Sequence, residues 1–565
     1  MHLRAPVTSC ATRSSGSAVS DRGRRNRHSR WPDFNRGHRS TRVRIFARES
    51  IPFAPAARFF QRPFAPEDGG AVNEQVSASS KPQTHQPPGV EPGNERVDVV
   101  IVGARCAGSS AAVHFARRGQ RVVVLDKTRF PSDTLSTHAM MIDGVVELAR
   151  MGALDKILSL NPSLTHYLTV SSADVMIRER WPSLEGIDYS LCVPRPEQDA
   201  ALVESARAAG ADVRPQCRVE DVLWSHGRAV GVRYRENGSV RDIRAKLVVG
   251  ADGRRSTVAA AVGSWQPYRV SFNERGLVYG YSDDPLPDSP WAQTLSLWRS
   301  DGRIAATFPC TPRGRLLTVF LPPNEELPQW RRAPLEMWKR ELERFPSDGL
   351  PTRVNGVAPP DRVRTGGDLS SYFRVSSGPG WALVGDSGHF KDPVIGRGMS
   401  DALYFARRLA ERAADVLDSP ARIDTRLRRW ERERDHCLLP TYHFGNRQGR
   451  DQADSPLVEE TLRTFVREPA RPDASVAFTR QRTPERVFGP SHLVRALAAA
   501  LRRPDTRASD ILRETAAELR SELGIRADRL ARLPMGSRPA RQRATERPDA
   551  PFPANPHRHA QDEPA

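Results

Sequence analysis

Val97-Asp98-Val99-Val100-Ile101-Val102-Gly103-Ala104-Arg105-Cys106-Ala107-Gly108 is the stretch on which the reading of this chain turns. Its β-branched run predicts a buried parallel strand. The run breaks at Gly103 into a helix over 109–118, which stops at Gly119, and residues 121–125 form the next strand, ending at Asp126. Strand, glycine turn, helix, strand and acid make the βαβ unit that cradles a dinucleotide. Gly103 permits the tight turn and Gly108 lets helix and strand approach, with Ala104 and Ala107 as small neighbours. The helix N-terminus offers N–H groups to a pyrophosphate, and Asp126, followed by Lys127, stands where an acid bonds a ribose hydroxyl. Arg105 occupies the place of the middle glycine. Its side chain narrows the approach to the phosphates, although a guanidinium can itself contact them. An ordinary strand-turn-helix with accidental glycines is the alternative, and Asp126 weighs against it.

Composition sets the outer bounds. At 565 residues the chain has room for two to four domains. The net charge of +19 is unevenly placed: residues 1–50 hold twelve Arg against Asp21, Asp33 and Glu49. Only six of the 86 basic residues are Lys, a bias that coding composition alone produces. The basic residues are dispersed, and no zinc, helix-turn-helix or RNA-binding signature accompanies them, so no specific nucleic-acid partner is expected. Six scattered cysteines give neither a disulfide framework nor a metal site, which fits a cytoplasmic protein. No apolar run approaches the roughly 20 residues of a membrane span. Residues 1–95, rich in Arg, Ser, Pro and Gly, read as a disordered basic extension, and 534–565 as a disordered tail.

Between them the predicted architecture is α/β, with a mostly parallel, Rossmann-like sheet. A nucleotide-binding domain is assembled discontinuously from 96–163, 194–265 and 375–420. A β-sheet domain is inserted from 164–193 and 266–374, and a helical region covers 421–533. One helix is expected through Val145 to Ile157, and a short apolar strand at 247–249. Ile511, Leu512, Ala516, Leu519 and Leu523 form an amphipathic stripe read as ordinary packing.

Two further motifs repeat the logic of the first. Val249-Gly-Ala-Asp252-Gly253 delivers a carboxylate at a strand end, the edge at which open α/β sheets bind ligands. In 385–402, Gly385-Asp386 again ends a strand, and Gly396-Arg397-Gly398-Met399 opens a helix whose first N–H groups stabilise negative charge. Each Gly-Asp alone is commonplace; three such motifs in this order are not. The chain resembles the para-hydroxybenzoate hydroxylase superfamily of flavoproteins, and within it the geranylgeranyl-reductase-like branch, over about 97–416. That resemblance implies FAD as cofactor, with residues 103–108 on its ADP half and Asp126 on the adenosine ribose. It implies Arg195, opening Arg195-x-x-x-Asp199, near the phosphate or ribityl region, and Asp252 and Gly253 near the pyrophosphate. Asp386 falls on the ribityl chain, Pro393 beside the isoalloxazine, and 396–399 against the ring edge where charge grows on reduction.

The activity implied is an oxidoreductase driven by NADPH or NADH without a second nucleotide domain, transferring one atom of molecular oxygen to a small organic substrate. The substrate class stays open among aromatic, polyketide and isoprenoid molecules, as does the oligomeric state. Reduction of prenyl double bonds is the nearest rival, faintly supported by Thr307-Phe-Pro-Cys-Thr-Pro312. A flavin halogenase lacks its W-x-W-x-I-P signature here, and a degenerate, non-enzymatic flavin site has only Arg105 to suggest it. His138 and His389 lie beside motif segments as candidate acid/base groups. Cys106, at a helix N-terminus, is placed for a lowered pKa, though a small residue suits the turn equally well.

Overall fold

The computed structural model describes residues 44–47 and 95–531, apart from 137, 173, 357, 361, 469–473, 481–486 and 488–489. The chain enters on β1 (Glu95–Val102), passes through α1 (Cys106–Ala116) and returns on β2 (Val122–Leu125). After α2 (Ile142–Met151) comes a hairpin of β3 (Tyr167–Ser172) and β4 (Val175–Arg180), then α3 (Arg195–Ala208) and β5 (Asp212–Arg214). A meander of Cys217–Ser225 and Arg228–Glu236 leads into β6 (Ser239–Gly250). Next come β7 (Leu277–Asp283), β8 (Thr294–Ser300), β9 (Arg303–Cys310) and β10 (Arg315–Phe320). After β11 (Trp381–Leu383) the chain is helical: α4 (Gly398–Ala413), α5 (Pro420–Gln448), α6 (Pro456–Arg467), α7 (Pro490–Ala500) and α8 (Ala508–Ala531).

The first sheet has the strand order 377–378, β11, β6, β1, β2, β5, and all of its pairs from β11 to β5 are parallel. β1 is buried from Val97 to Val102 because layers cover it on both faces. Fully burying each of its large aliphatic side chains contributes about 1.5–3 kcal/mol. The chain moves from β1 to β2 on one side and returns to β6 on the other, so the order reverses between β1 and β6. Such a reversal opens a crevice at the strand C-termini. Registers Gly250↔Val102 and Gly250↔Leu383 bring the turns after β1, β6 and β11 to that one edge.

The second sheet runs 44–47, β4, β3, β8, β9, β10, β7, 364–366. Alternation gives it two different faces. One face, with Phe320 and Trp298, packs on Trp330 and Trp338 of two short helices, Leu327–Arg332 and Pro334–Glu343. Across the other, the register aligns Tyr279, Val319, Ala306 and Leu297 in one row.

Several details depart from the sequence reading. α1 begins at Cys106, three residues early, because small residues let it start directly from the turn. The helix expected through Ile157 is divided at Gly152, which at φ +74° ends α2 before Leu154–Leu158 begins. The apolar piece 247–249 is the end of the twelve-residue β6. Most of 1–95 and all of 534–565 lie outside the described residues, but Arg44–Ala47 is a strand, paired in parallel with the edge of β4. The stripe on α8 is not ordinary packing throughout. Ile511 is buried, whereas Leu512, Leu519 and Leu523 are 54%, 51% and 64% exposed. The side that packs on the protein carries Ile511 and Thr515, with Glu514 bonded to Ser455 and Glu522 paired with Arg447.

Candidate functional site

Gly103 shows why the first motif needs glycine. Its φ is +99°, and a Cβ there would lie 2.4 Å from the carbonyl oxygen of Ala251. A Cβ at Gly108 would sit 1.7 Å from the Gly103 carbonyl oxygen, so both glycines are closed to side chains. Position 105 is different: Arg105 has φ −78°, an ordinary value for an L-residue. It ion-pairs with Asp199, donates to Ser132 Oγ at 2.9 Å and lies over the Phe130 ring. The missing glycine is therefore accommodated without strain.

Asp126 closes the turn from the next strand. Its Oδ2 accepts the Ala104 N–H at 2.7 Å, and Oδ1 accepts the Thr128 N–H and hydroxyl. Lys127 is exposed beside it. Arg195, in the first turn of α3, donates to both Asp199 oxygens at 2.8 and 2.9 Å. Asp199 thus sits between two guanidiniums. Gln198 reaches Cys106 Sγ at 3.5 Å and Met399 Sδ at 3.3 Å, which links the starts of α1, α3 and α4. Burial pushes the Cys106 thiol up to about 11, with Arg195 opposing, so the lowered pKa expected at a helix start is overridden by desolvation.

Asp252 accepts from Ser256 Oγ at 2.5 Å and from the Val258 N–H at 3.2 Å; burial raises its pKa. Gly253, at φ +82°, has open space where a Cβ would be. Burial likewise raises the pKa of Asp386, against the pull of Arg254, Arg195, Lys391 and Arg374. Gly385 takes φ +58°, where a Cβ would meet the Ala107 methyl. Gly396 takes φ +61° at the end of the turn Pro393–Ile395, and Asp392 Oδ1 accepts the Val394 N–H of that turn. Gly398 has open space around it and Met399 lies in the first turn of α4.

The two histidines are placed apart. His138 is buried at φ +59°, edge-on to Tyr279 and Tyr281 at 5.1 and 5.7 Å. Neither ring nitrogen has a hydrogen-bond partner among the described residues, and burial holds its pKa down to about 3. His389 is stacked on Phe373 and edge-on to Phe405, inside the core and away from the pocket described below. Burial keeps it neutral too, its pKa well below the usual imidazole value.

Sequence reasoning missed a buried arginine that ties the second and third motifs together. Arg374 donates to the carbonyls of Trp265, Ser387 and Arg254, at 2.8, 3.0 and 3.1 Å. Tyr372 beside it donates to the Asp386 carbonyl. The sequence around them, Ser371-Tyr-Phe-Arg374, has no motif spacing to betray either role. Lys391 and Asp401, ion-paired and buried behind the 393–396 turn, were missed as well.

Next to that turn is an apolar pocket. Its walls are Leu297, Ala306, Phe308 and Val319 of the second sheet on one side and residues 393–396 on the other, with Met141 and Phe478 closing it. The described residues fit FAD. Neither α1 nor α4 has a side chain capping its first N–H groups, whereas Ser256 caps the short helix Thr257–Ala261. Two uncapped helix starts, with open space at Gly253 and Gly398 and a guanidinium at Arg195, suit an anionic dinucleotide.

The FAD binding domain family matches residues 96–437, and the chain belongs to that family of FAD-dependent oxidoreductases. Among its relatives is a menaquinone reductase of Mycolicibacterium smegmatis, 30% identical over 56% of this chain and 76% of that one. A digeranylgeranylglycerophospholipid reductase of Methanothrix thermoacetophila is 27% identical over 57% and 79%. A rifampicin monooxygenase of Streptomyces venezuelae is 26% identical over 61% and 67%. Among solved structures, a myxobacterial chondrochloren halogenase superposes with a TM-score of 0.56 at 22% identity, covering 73% of this chain and 92% of that one, which shows the shared fold. Among the described residues, no helix is long and apolar enough to cross a membrane.

Proposed function

We propose that this chain is an NAD(P)H-driven monooxygenase that transfers one oxygen atom to an apolar organic substrate. The observation that carries the reading is the pocket beside Pro393–Ile395: its lining is apolar throughout, and it adjoins the start of α4. Bound FAD would supply the redox chemistry, passing reducing equivalents from NADPH or NADH to molecular oxygen. The N–H groups at the start of α1, with Gly103 and Gly108, would hold the pyrophosphate. Asp126 and Lys127 would face the adenosine end, and Arg195, Asp252, Gly253 and Asp386 the phosphate and ribityl portions. The free N–H groups of residues 398–399 would stabilise charge at the ring edge, with Pro393 against the ring. The apolar walls keep water from the reacting oxygen, since leakage would waste reductant as peroxide.

Saturation of a prenyl double bond is the second reading, favoured by the digeranylgeranylglycerophospholipid reductase relative and by the same apolar lining. One experiment serves both. The purified chain is titrated anaerobically with NADPH, air is admitted, and apolar candidates are incubated under each atmosphere. The expected result is a flavin spectrum that bleaches and recovers, and a product heavier by one oxygen atom that forms only in air. A product heavier by two hydrogens, formed without air, would establish the reductase. A colourless protein that takes up no FAD would refute both.

A further inference from the structure

The FAD binding domain family accounts for residues up to 437, yet one wall of the apolar pocket comes from beyond it. The short 3-10 helix Ala474–Phe478 buries Ala474, Val476 and Ala477 against Val175 and Ile177 of β4 and Phe465 of α6, while the half-buried Phe478 ring turns into the pocket.

The backbone on either side of this ring is fixed. The Ser475 N–H donates to Glu179 Oε2 at 2.9 Å, and Arg397, the residue before α4, donates to the Thr479 carbonyl at 2.9 Å. Arg480 then ion-pairs with both Asp143 and Asp401 at 3.1 Å and lies 4.2 Å over the Tyr404 ring. The segment is therefore held to the second sheet, to α2 and to the turn that opens α4. The remaining walls are strands in register, the 393–396 turn and Met141 at the start of α2.

We infer that Phe478 is a specificity-determining residue, its ring setting the length of apolar substrate that the pocket accepts; this rests on reading the pocket as the substrate site. A tail that grows within the pocket gains about 0.8 kcal/mol per methylene, roughly a fourfold tightening for each. Growth ends where the tail meets a ring whose backbone is tied at three points.

The test uses the full FAD-loaded chain and 4-alkylphenols from methyl to octyl, with binding read from the shift of the flavin visible band. In the wild type, affinity is expected to rise about fourfold per methylene and then stop. Phe478→Ala moves that limit outward by about three methylenes, so that the first phenol beyond the wild-type limit binds about fourfold more tightly and the third binds tens of times more tightly. Phe478→Trp moves it inward. Phe478→Leu, which keeps a large apolar side chain, moves it outward by about one methylene and serves if the alanine variant does not fold. An unchanged limit in variants that keep bound FAD and a wild-type circular dichroism spectrum overturns the inference and leaves the flavoenzyme reading standing. FAD-loaded protein whose spectrum no phenol perturbs also overturns it. A wild-type chain that takes up no FAD brings down the underlying reading instead.

Discussion

Gly103→Ala isolates the physical demand of the first motif. At φ +99° an alanine is held outside the conformations open to L-residues, at about 1–3 kcal/mol. The added Cβ would lie 2.4 Å from the Ala251 carbonyl oxygen and 3.1 Å from Asp252 Cα. Ala251 cannot easily retreat, because its N–H donates to the Val102 carbonyl at 2.7 Å. Overpacking of this kind adds about 1–3 kcal/mol. The stiffer unfolded chain returns about 0.4–1 kcal/mol, which leaves a net loss of about 1–5.6 kcal/mol. Gly253→Ala is the control. Its φ is also positive, at +82°, but the space around it is empty, so only strain of about 1–2 kcal/mol remains before the same return. Urea unfolding of the apoprotein, with bound FAD removed from the comparison, measures both. A Gly103→Ala protein within about 0.5 kcal/mol of Gly253→Ala would refute the argument that backbone contact, and not φ alone, demands glycine at 103.

Other residues give sharper single outcomes. Arg353 donates to both oxygens of Asp284 at 2.7 and 2.9 Å, with both side chains buried. Asp284→Ala strands the guanidinium and lowers urea stability by about 3–5 kcal/mol. Burial raises Asp392 to about 7, opposed by its bond from the Val394 N–H and by Arg275. Its folded pKa exceeds its unfolded one, so its contribution is present below about pH 4 and is lost as pH rises to about 7, up to about 4 kcal/mol. Asp392→Asn therefore gains stability on the wild type over that window in pH-dependent urea unfolding, and the difference levels off above it. His138 and His389, held neutral by burial, act in the opposite sense. The unfolded state takes up their protons below about pH 6.5, so His138→Asn, a residue suited to φ +59°, flattens the loss of stability between pH 6.5 and about 3.

The fold was legible where the chemistry is local. The run 97–108 exposes its strand through continuous β-branched residues and its turn through glycine, and both signals depend on nearest neighbours in the chain. The same holds for Asp252 and Asp386, each marked by a glycine at the end of an apolar strand. What could not be read is whatever depends on neighbours distant in sequence. Cys106 looks like an activated thiol on its own helix, and only the packing around it reverses that. Leu512, Leu519 and Leu523 have the spacing of a packed face, but α8 packs through the adjoining side that carries Ile511 and Thr515 and the contacts of Glu514 and Glu522. Arg105 fills the place of the middle glycine; its backbone, at φ −78°, is unstrained, and it is distant partners, Asp199 and Ser132, that hold its side chain.

Arg374 shows how the second and third motifs are held at one site. Parallel registers bring the turns to a common edge, but register fixes only the strands, and the loops beyond them are free to diverge. One buried guanidinium accepts that task by donating to carbonyls from the second motif (Arg254), the third (Ser387) and the segment between them (Trp265). A guanidinium is suited to it, since its donors form a rigid planar fork that a lysine cannot reproduce. Arg374→Lys is expected to keep the charge and lose two of the three bonds, each worth about 1.5–3 kcal/mol as a charged hydrogen bond. Both sheets would remain, because none of these bonds lies within a strand ladder. Far-UV circular dichroism should therefore be unchanged while FAD affinity falls at least tenfold. If FAD affinity is retained in a folded Arg374→Lys protein, the registers alone hold the motifs in place and the arginine is only core packing.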